Sequence, residues 1–452
     1  MPDRSWTIAP VIAWFVGALV VALCVLDGGV QAIADRLTAQ RAHDTAQPAN
    51  PMATPGPIVA DVDDTDVSPA PPPVASGPGY PEQVGALDDP RHAMEGFYKA
   101  VAAEQKGTLG RAVRVSWYGD SVIADDQLAG RLRKRLQDDL GDGGPGFVYV
   151  VRPHRFCNNE AIIRGDEAGW RPYAISTNRT SDGLYGPAGS TAETDGGRAT
   201  IKLASGKVTG VELYYLAQPH GGEVTITGDG AELVRAATAG DQKAAGWATG
   251  RAADGVKKLV IDTRGNVRLF GLDLENDRGA VVDNLGIVSV NVKSFGANDP
   301  EHWAAEVDHR GADLVMIMIG ANEAEWLSPG DRDTKDYQSH YEAVLAPIRK
   351  AIADRSCLVV SPTDQAEEHD GDYRSRPVMP LLVDAQRKAA HAQGCAFYST
   401  YDWMGGKGSA AKWFRKGLVS SDFQHLTQRG ANRMADAVHD ALMAGYRRYA
   451  HE

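Results

Sequence analysis

At 452 residues, 43% hydrophobic and 23% charged, the chain is long enough to bury a large core and to hold more than one domain. Its formal net charge of -12, with no basic stripe long enough to follow a phosphate backbone, excludes nucleic acid as the main partner. Four cysteines are too few for a disulfide scaffold, and no His and Cys spacing points to a metal site or another cofactor.

Residues 8–26 form a run of nineteen without a charge, long enough to cross a bilayer. Arg4 precedes it and Asp27 follows, an arrangement that favours a cytoplasmic N-terminus. Segment 1–27 therefore reads as a membrane anchor that leaves the rest of the chain outside the cytoplasm. The alternative is a signal segment, removed to give a secreted protein, although no A-x-A site closes the run. Segment 28–88 is a linker, rich in Pro, Ala and Asp and densest at Pro69-Ala70-Pro71-Pro72-Pro73. It lacks the apolar residues to fold and reads as a semi-extended tether.

A helix near 90–106 leads into 113–118, an apolar alternating run that predicts a strand. Directly after it comes Gly119-Asp120-Ser121, placing a serine where a strand hands over to a helix, at the carboxyl edge of a parallel sheet. Gly-Asp-Ser alone is weak evidence, because all three residues are ordinary in turns and caps. Segment 151–280 is rich in Gly and Thr and carries short alternating runs at 199–203, 210–216, 223–227, 257–262 and 266–274. It reads as a β-sandwich inserted into the domain that 89–150 begins and 281–452 completes. Its aromatics Trp170, Tyr173, Tyr185 and Tyr215 suit either stacking on sugar rings or filling a sandwich core.

Strands are expected again at 281–283, 314–319, 358–361 and 396–399, with helices at 337–353 and 380–393 and a closing helix at 427–449. Alternation of this kind predicts a three-layer α/β fold with a parallel sheet. Gly320-Ala321-Asn322-Glu323 follows the strongly apolar strand. Gly296-Ala297-Asn298-Asp299 is similar in letters, but it precedes Pro300 and reads as a loop into a helix. Asp422-Phe423-Gln424-His425 stands just before the closing helix. Asp three residues before His, outside a helix, can hold one imidazole nitrogen while the other faces a nucleophile. His154, His220, His302 and His369 lack such a setting and read as surface or hydrogen-bonded imidazoles. Cys357 and Cys395 each begin an expected strand, so a disulfide and a pair of buried thiols are equally open.

Together these motifs resemble the SGNH (GDSL-type) hydrolase superfamily. The resemblance implies Ser121 as nucleophile, Asp422 and His425 as its relay, and Ser121, Gly286 and Asn322 as the oxyanion hole. Gly286, in Asp283-Asn284-Leu285-Gly286-Ile287, departs from the usual pattern, in which a second small residue, often Asn or Gly, follows within a few positions; here the chain reads Ile287-Val288-Ser289. With an inserted β-sandwich and Gly143-Gly144-Pro145-Gly146-Phe147, the chain looks like bacterial cell-envelope O-acetylesterases acting on peptidoglycan or related polysaccharides. The expectation is a serine esterase removing O-acetyl groups through an acetyl-enzyme. An O-acetyltransferase with the same triad and a non-catalytic glycan-binding envelope protein are the alternatives. A lipase would need an apolar lid, and the sequence shows no obvious one.

Overall fold

The computed structural model describes residues 85–451. The apolar run 8–26 and most of the linker lie outside the described residues. Among the described residues, no helix is long and apolar enough to cross a membrane.

The central sheet has five strands, all parallel, in the order Ala280–Gly286, Val113–Gly119, Leu314–Met318, Ser356–Val360, Ala396–Tyr398. In chain order this is 2-1-3-4-5, and the order reverses between the first and third strands, where such sheets open a crevice at their carboxyl ends. The strands are almost wholly buried, as expected where helices cover both faces. On one face Val113, Val115 and Trp117 pack against the helices Glu95–Gln105, Gln127–Leu140 and Gln428–His451. On the other, Tyr118, Val315 and Ile317 meet the helices Pro300–Arg310, Asp331–Ile352 and Met379–Ala392. Cys357 and Cys395, left open by the sequence, are bonded to each other beside the last two strands.

Between the first strand and the second the chain builds two antiparallel sheets. One joins Ala244–Val256, Val208–Ala217, Val267–Glu275, Ser190–Thr194 and Arg171–Ala174. The other joins Ile162–Gly165, Arg198–Leu203, Lys258–Arg264, Glu223–Gly228 and Ala231–Ala237. Leu213, Leu269 and Leu272 of the first share a core with Ile201, Ile226 and Ile261 of the second. Every second residue of Glu223–Gly228 is buried, the pattern of a strand with one covered face. Gly146–Val148 pairs with Val267–Glu275, so this region recruits residues before the expected boundary at 151.

A buried charge network ties the two regions together. Arg310 donates to both carboxylate oxygens of Asp283, at 2.8 Å each, and to Glu275 at 2.6 Å. Asp283 also accepts from the Ser116 hydroxyl at 2.7 Å and the Phe147 N–H at 2.8 Å. Breaking one member of such a set leaves an uncompensated buried charge, a cost of about 3–5 kcal/mol.

Candidate active site

Ser121 opens the one-turn helix Ser121–Ala124 directly after the first strand. Asp120 caps that turn, its carboxylate accepting the Val122 N–H at 3.0 Å. Burial pushes the Asp120 carboxyl up to about 6, against the backbone N–H groups of Val122 and Ala321 and the charge of His425. The turn lies hard against the end of the second strand: a Cβ on Gly286 would stand 2.3 Å from the Ala124 nitrogen, so no larger residue fits there.

His425 brings Nε2 to 2.8 Å from the Ser121 hydroxyl, and its Nδ1 lies 2.7 Å from an Asp422 carboxylate oxygen. The other Asp422 oxygen accepts the backbone N–H groups of Gln424 and His425, each at 3.0 Å. Phe423, between them, takes a left-handed backbone with φ of 57°. Burial works to raise the Asp422 carboxyl, but the hydrogen bonds from His425 and from the two N–H groups outweigh it and hold it below the usual range. The Asp422 hydrogen bond raises the His425 imidazole above 6.5, against burial; the charges of Asp422, Asp120 and Asp125 add to the rise. Side-chain exposures of 38% for His425 and 36% for Asp422 leave the relay open to a large substrate.

Asn322 stands at the end of the third strand, across the crevice. Gly320 makes the bend before it, with φ of 126°, a backbone that favours glycine. The Asn322 amide donates to the Val290 carbonyl at 2.7 Å, and the Glu323 carboxylate accepts the Val292 N–H at 2.8 Å. These two bonds fasten the loop after the second strand to the Asn322 turn. One amide proton of Asn322 remains for another acceptor.

The expectation for Gly286 needs correction. Its N–H is already engaged, donating to the Asn284 side-chain oxygen at 3.0 Å. Asn284 also donates to the Asp126 carboxylate at 3.1 Å and to the Asn158 carbonyl at 3.2 Å, which joins the strand to the end of the Ser121 turn. Gly286 serves by allowing close approach. Three residues on, Ser289 is exposed, with φ of 63°, in a tight turn that Val290 closes on Ile287 at 3.3 Å. It directly precedes Val290, whose carbonyl holds the Asn322 amide.

The other sequence candidates fall elsewhere. Asp299 caps the helix Pro300–Arg310, as the loop reading of Gly296-Ala297-Asn298-Asp299 expects. His302 packs edge-on against Phe270 at 5.4 Å. Tyr185 is fully buried, Trp170 and Tyr215 pack against the core of the antiparallel sheets, and Tyr173 packs against that of the parallel sheet. No group of His, Cys, Asp and Glu able to hold a metal occurs among the described residues.

A serine hydroxyl, an imidazole and a carboxylate in line, beside an amide at a sheet's carboxyl edge, can carry out acyl transfer. Residues 240–433 match the GDSL-like Lipase/Acylhydrolase family, a span that holds Asn322, Asp422 and His425 and omits Ser121. Among solved structures, a peptidoglycan O-acetylesterase is 24% identical with a TM-score of 0.69, covering 80% of this chain and 99% of its own. An acetylxylan esterase from Geobacillus stearothermophilus is 18% identical with a TM-score of 0.27, covering 36% of this chain and 73% of its own. The first likeness is one of fold. No curated protein matches the chain.

Proposed function

We propose that this chain, an SGNH-type hydrolase by fold, is a serine esterase that removes O-acetyl groups from an envelope polysaccharide, with acetylated peptidoglycan the first candidate. The observation that carries the reading is the line from Asp422 through His425 to the Ser121 hydroxyl, at 2.7 and 2.8 Å.

In this reading His425 Nε2 takes the Ser121 proton as the oxygen attacks the acetyl carbonyl, while Asp422 stabilises the imidazolium. The oxyanion is met by the Ser121 and Ser289 N–H groups and the Asn322 amide. When the tetrahedral intermediate collapses, the sugar oxygen leaves with the proton from His425, and the acetyl group stays on Ser121. Water then gives a proton to His425 and attacks the acetyl-serine, releasing acetate and restoring the serine.

The two antiparallel sheets are read as an inserted β-sandwich that adds affinity for the glycan. Segment 1–27 is read as an anchor in the inner membrane, with the linker holding the catalytic part in the space outside the cytoplasm. The Cys357–Cys395 bond supports an oxidising compartment. The test is acetate release from O-acetylated peptidoglycan by the full chain and by Ser121→Ala. Release lost in the variant is the expected result. Equal release by both proteins would overturn the reading, and loss of acetyl from the peptidoglycan with no free acetate, the ester appearing instead on a supplied acceptor sugar, would make the protein a transferase.

A further inference from the structure

The most exposed large apolar side chains among the described residues are Ile163, Trp326, Tyr373, Leu381 and Phe414. The three aromatics of this set all leave the carboxyl side of the parallel sheet. Trp326 follows Asn322 by four residues, but the Lys293 ammonium already lies over its ring, 5.2 Å from the centroid. Tyr373 and Phe414 converge on Phe423, the residue directly after Asp422 in the loop to His425. Tyr373 stacks on Phe423 at 4.3 Å with the ring planes 28° apart, and Phe414 meets it at 4.6 Å. Phe423 is 5% exposed, whereas Tyr373 and Phe414 are 42% and 36% exposed. Two open rings thus rest on a covered one.

The chain fixes this cluster with buried polar groups. Tyr373 belongs to the hairpin formed by Ala366–His369 and Asp372–Ser375. At the hairpin's base the Asp364 carboxylate accepts the Ser375 hydroxyl at 2.7 Å and the Ala410 N–H at 3.0 Å, which ties it to the helix Ser409–Arg415 that carries Phe414. Next to it Gln365 donates to the Ala321 carbonyl at 3.0 Å, which ties the hairpin to the turn of Asn322. The open rings are therefore held in fixed relation to both sides of the relay. Such anchoring is more than the covering of Phe423 requires.

We propose that Tyr373 and Phe414 form a sugar-stacking subsite for a pyranose ring neighbouring the one that carries the ester. An aromatic face suits the C–H face of a pyranose, whose hydroxyls then reach outward. Here they meet charged neighbours: Asp372 and Arg374 flank Tyr373, and Lys412 and Arg415 lie near Phe414, all exposed. An acyl tail would leave these charges without hydrogen-bonding partners on the ligand. The subsite makes the protein select acetyl groups on a polymer over those on a small ester. This inference takes from the proposed function only the position of the reacting ester; the subsite itself is tested by binding.

The test uses the full chain with Ser121→Ala, so that nothing is turned over, and peptidoglycan glycan strands freed of acetyl groups by mild base as the probe. Adding Tyr373→Ala or Phe414→Ala is expected to weaken binding about tenfold, and Tyr373→Trp to keep it, as an aromatic contact requires. In the active chain, Tyr373→Ala is expected to raise KM for acetylated strands by a similar factor and to leave the hydrolysis of 4-nitrophenyl acetate unchanged. Strands that do not bind Ser121→Ala, or bind all the variants equally, overturn the subsite. A parallel loss on strands and on 4-nitrophenyl acetate also overturns it, because the rings would then act only by holding the His425 loop. If the wild-type chain hydrolyses no acetyl ester and Tyr373→Ala still weakens strand binding, the esterase reading fails and the subsite stands.

Discussion

Ser121 and His425 meet at 2.8 Å, yet their surroundings hold them by unlike means. Ser121 is placed by close packing: its turn sits on the end of a buried sheet, where Gly286 leaves no room for a methyl group beside Ala124. The Asp422–His425 loop rests on one buried ring, Phe423, and its polar groups are set by hydrogen bonds, two from its own N–H groups to Asp422 and one from Ser420 N–H to the His425 carbonyl at 2.8 Å. Substitutions that change volume beneath the nucleophile disturb the fold, because packed interiors yield little. Substitutions that change hydrogen bonding in the base loop spare the fold and remove the chemistry.

The largest separation of the two comes from Asp422→Asn, which keeps the shape of the loop but favours the wrong imidazole tautomer. We expect kcat for a small acetyl ester to fall about 10⁴-fold with the melting temperature nearly unchanged. A large drop in melting temperature would mean that the base loop, too, is fixed by packing. Asn322→Ala is expected to cost about 10²–10³ in kcat, the range for one oxyanion donor, with a smaller change in KM. Both it and Asn322→Asp, which retains the size but lacks the amide protons, free the Val290 carbonyl, so the melting temperature of each is measured beside its rate. An intact rate in both variants would remove Asn322 from the oxyanion hole.

The smallest effect is on pH. His425 must be neutral to take the serine proton, and its pKa is raised above 6.5 chiefly by the Asp422 hydrogen bond. The rate is therefore expected to fall as pH drops through a value above 6.5. In Asp422→Asn the residual activity should show that limb at lower pH, because the group that raises the pKa is neutral. A limb that stays in place in the variant would assign it to another group, with Asp120 and Asp125 the nearest candidates.

The same contrast explains what was legible in the sequence. Ser121 and Asn322 follow apolar runs that read as strands, and Asp422 and His425 precede the amphipathic closing helix; these positions together with the resemblance to the SGNH superfamily made the four residues legible. The parallel sheet follows from the same alternation, whereas its 2-1-3-4-5 order does not. Gly286 was misread because its hydrogen bond to Asn284 is a matter of local conformation, as is the left-handed backbone of Ser289. The hairpin at 366–375 was missed because each of its strands is four residues long, too short for a period to emerge. The aromatics chosen in the inserted region turned out to pack against cores, whereas Tyr373 and Phe414 gave no sign before their exposure was known. The Arg310 network joins residues far apart in the chain, which no local pattern encodes.

The central claim, that Ser121 is the nucleophile activated by His425, is tested most directly by covalent trapping. The full chain is incubated with a fluorophosphonate, its intact mass is measured, and the modified peptide is identified. The account expects a single adduct on Ser121, acetyl-ester hydrolysis lost in step with labelling, and no adduct in Ser121→Ala or at normal speed in His425→Ala. Labelling elsewhere with full loss of activity, or undiminished hydrolysis by Ser121→Ala, would contradict it.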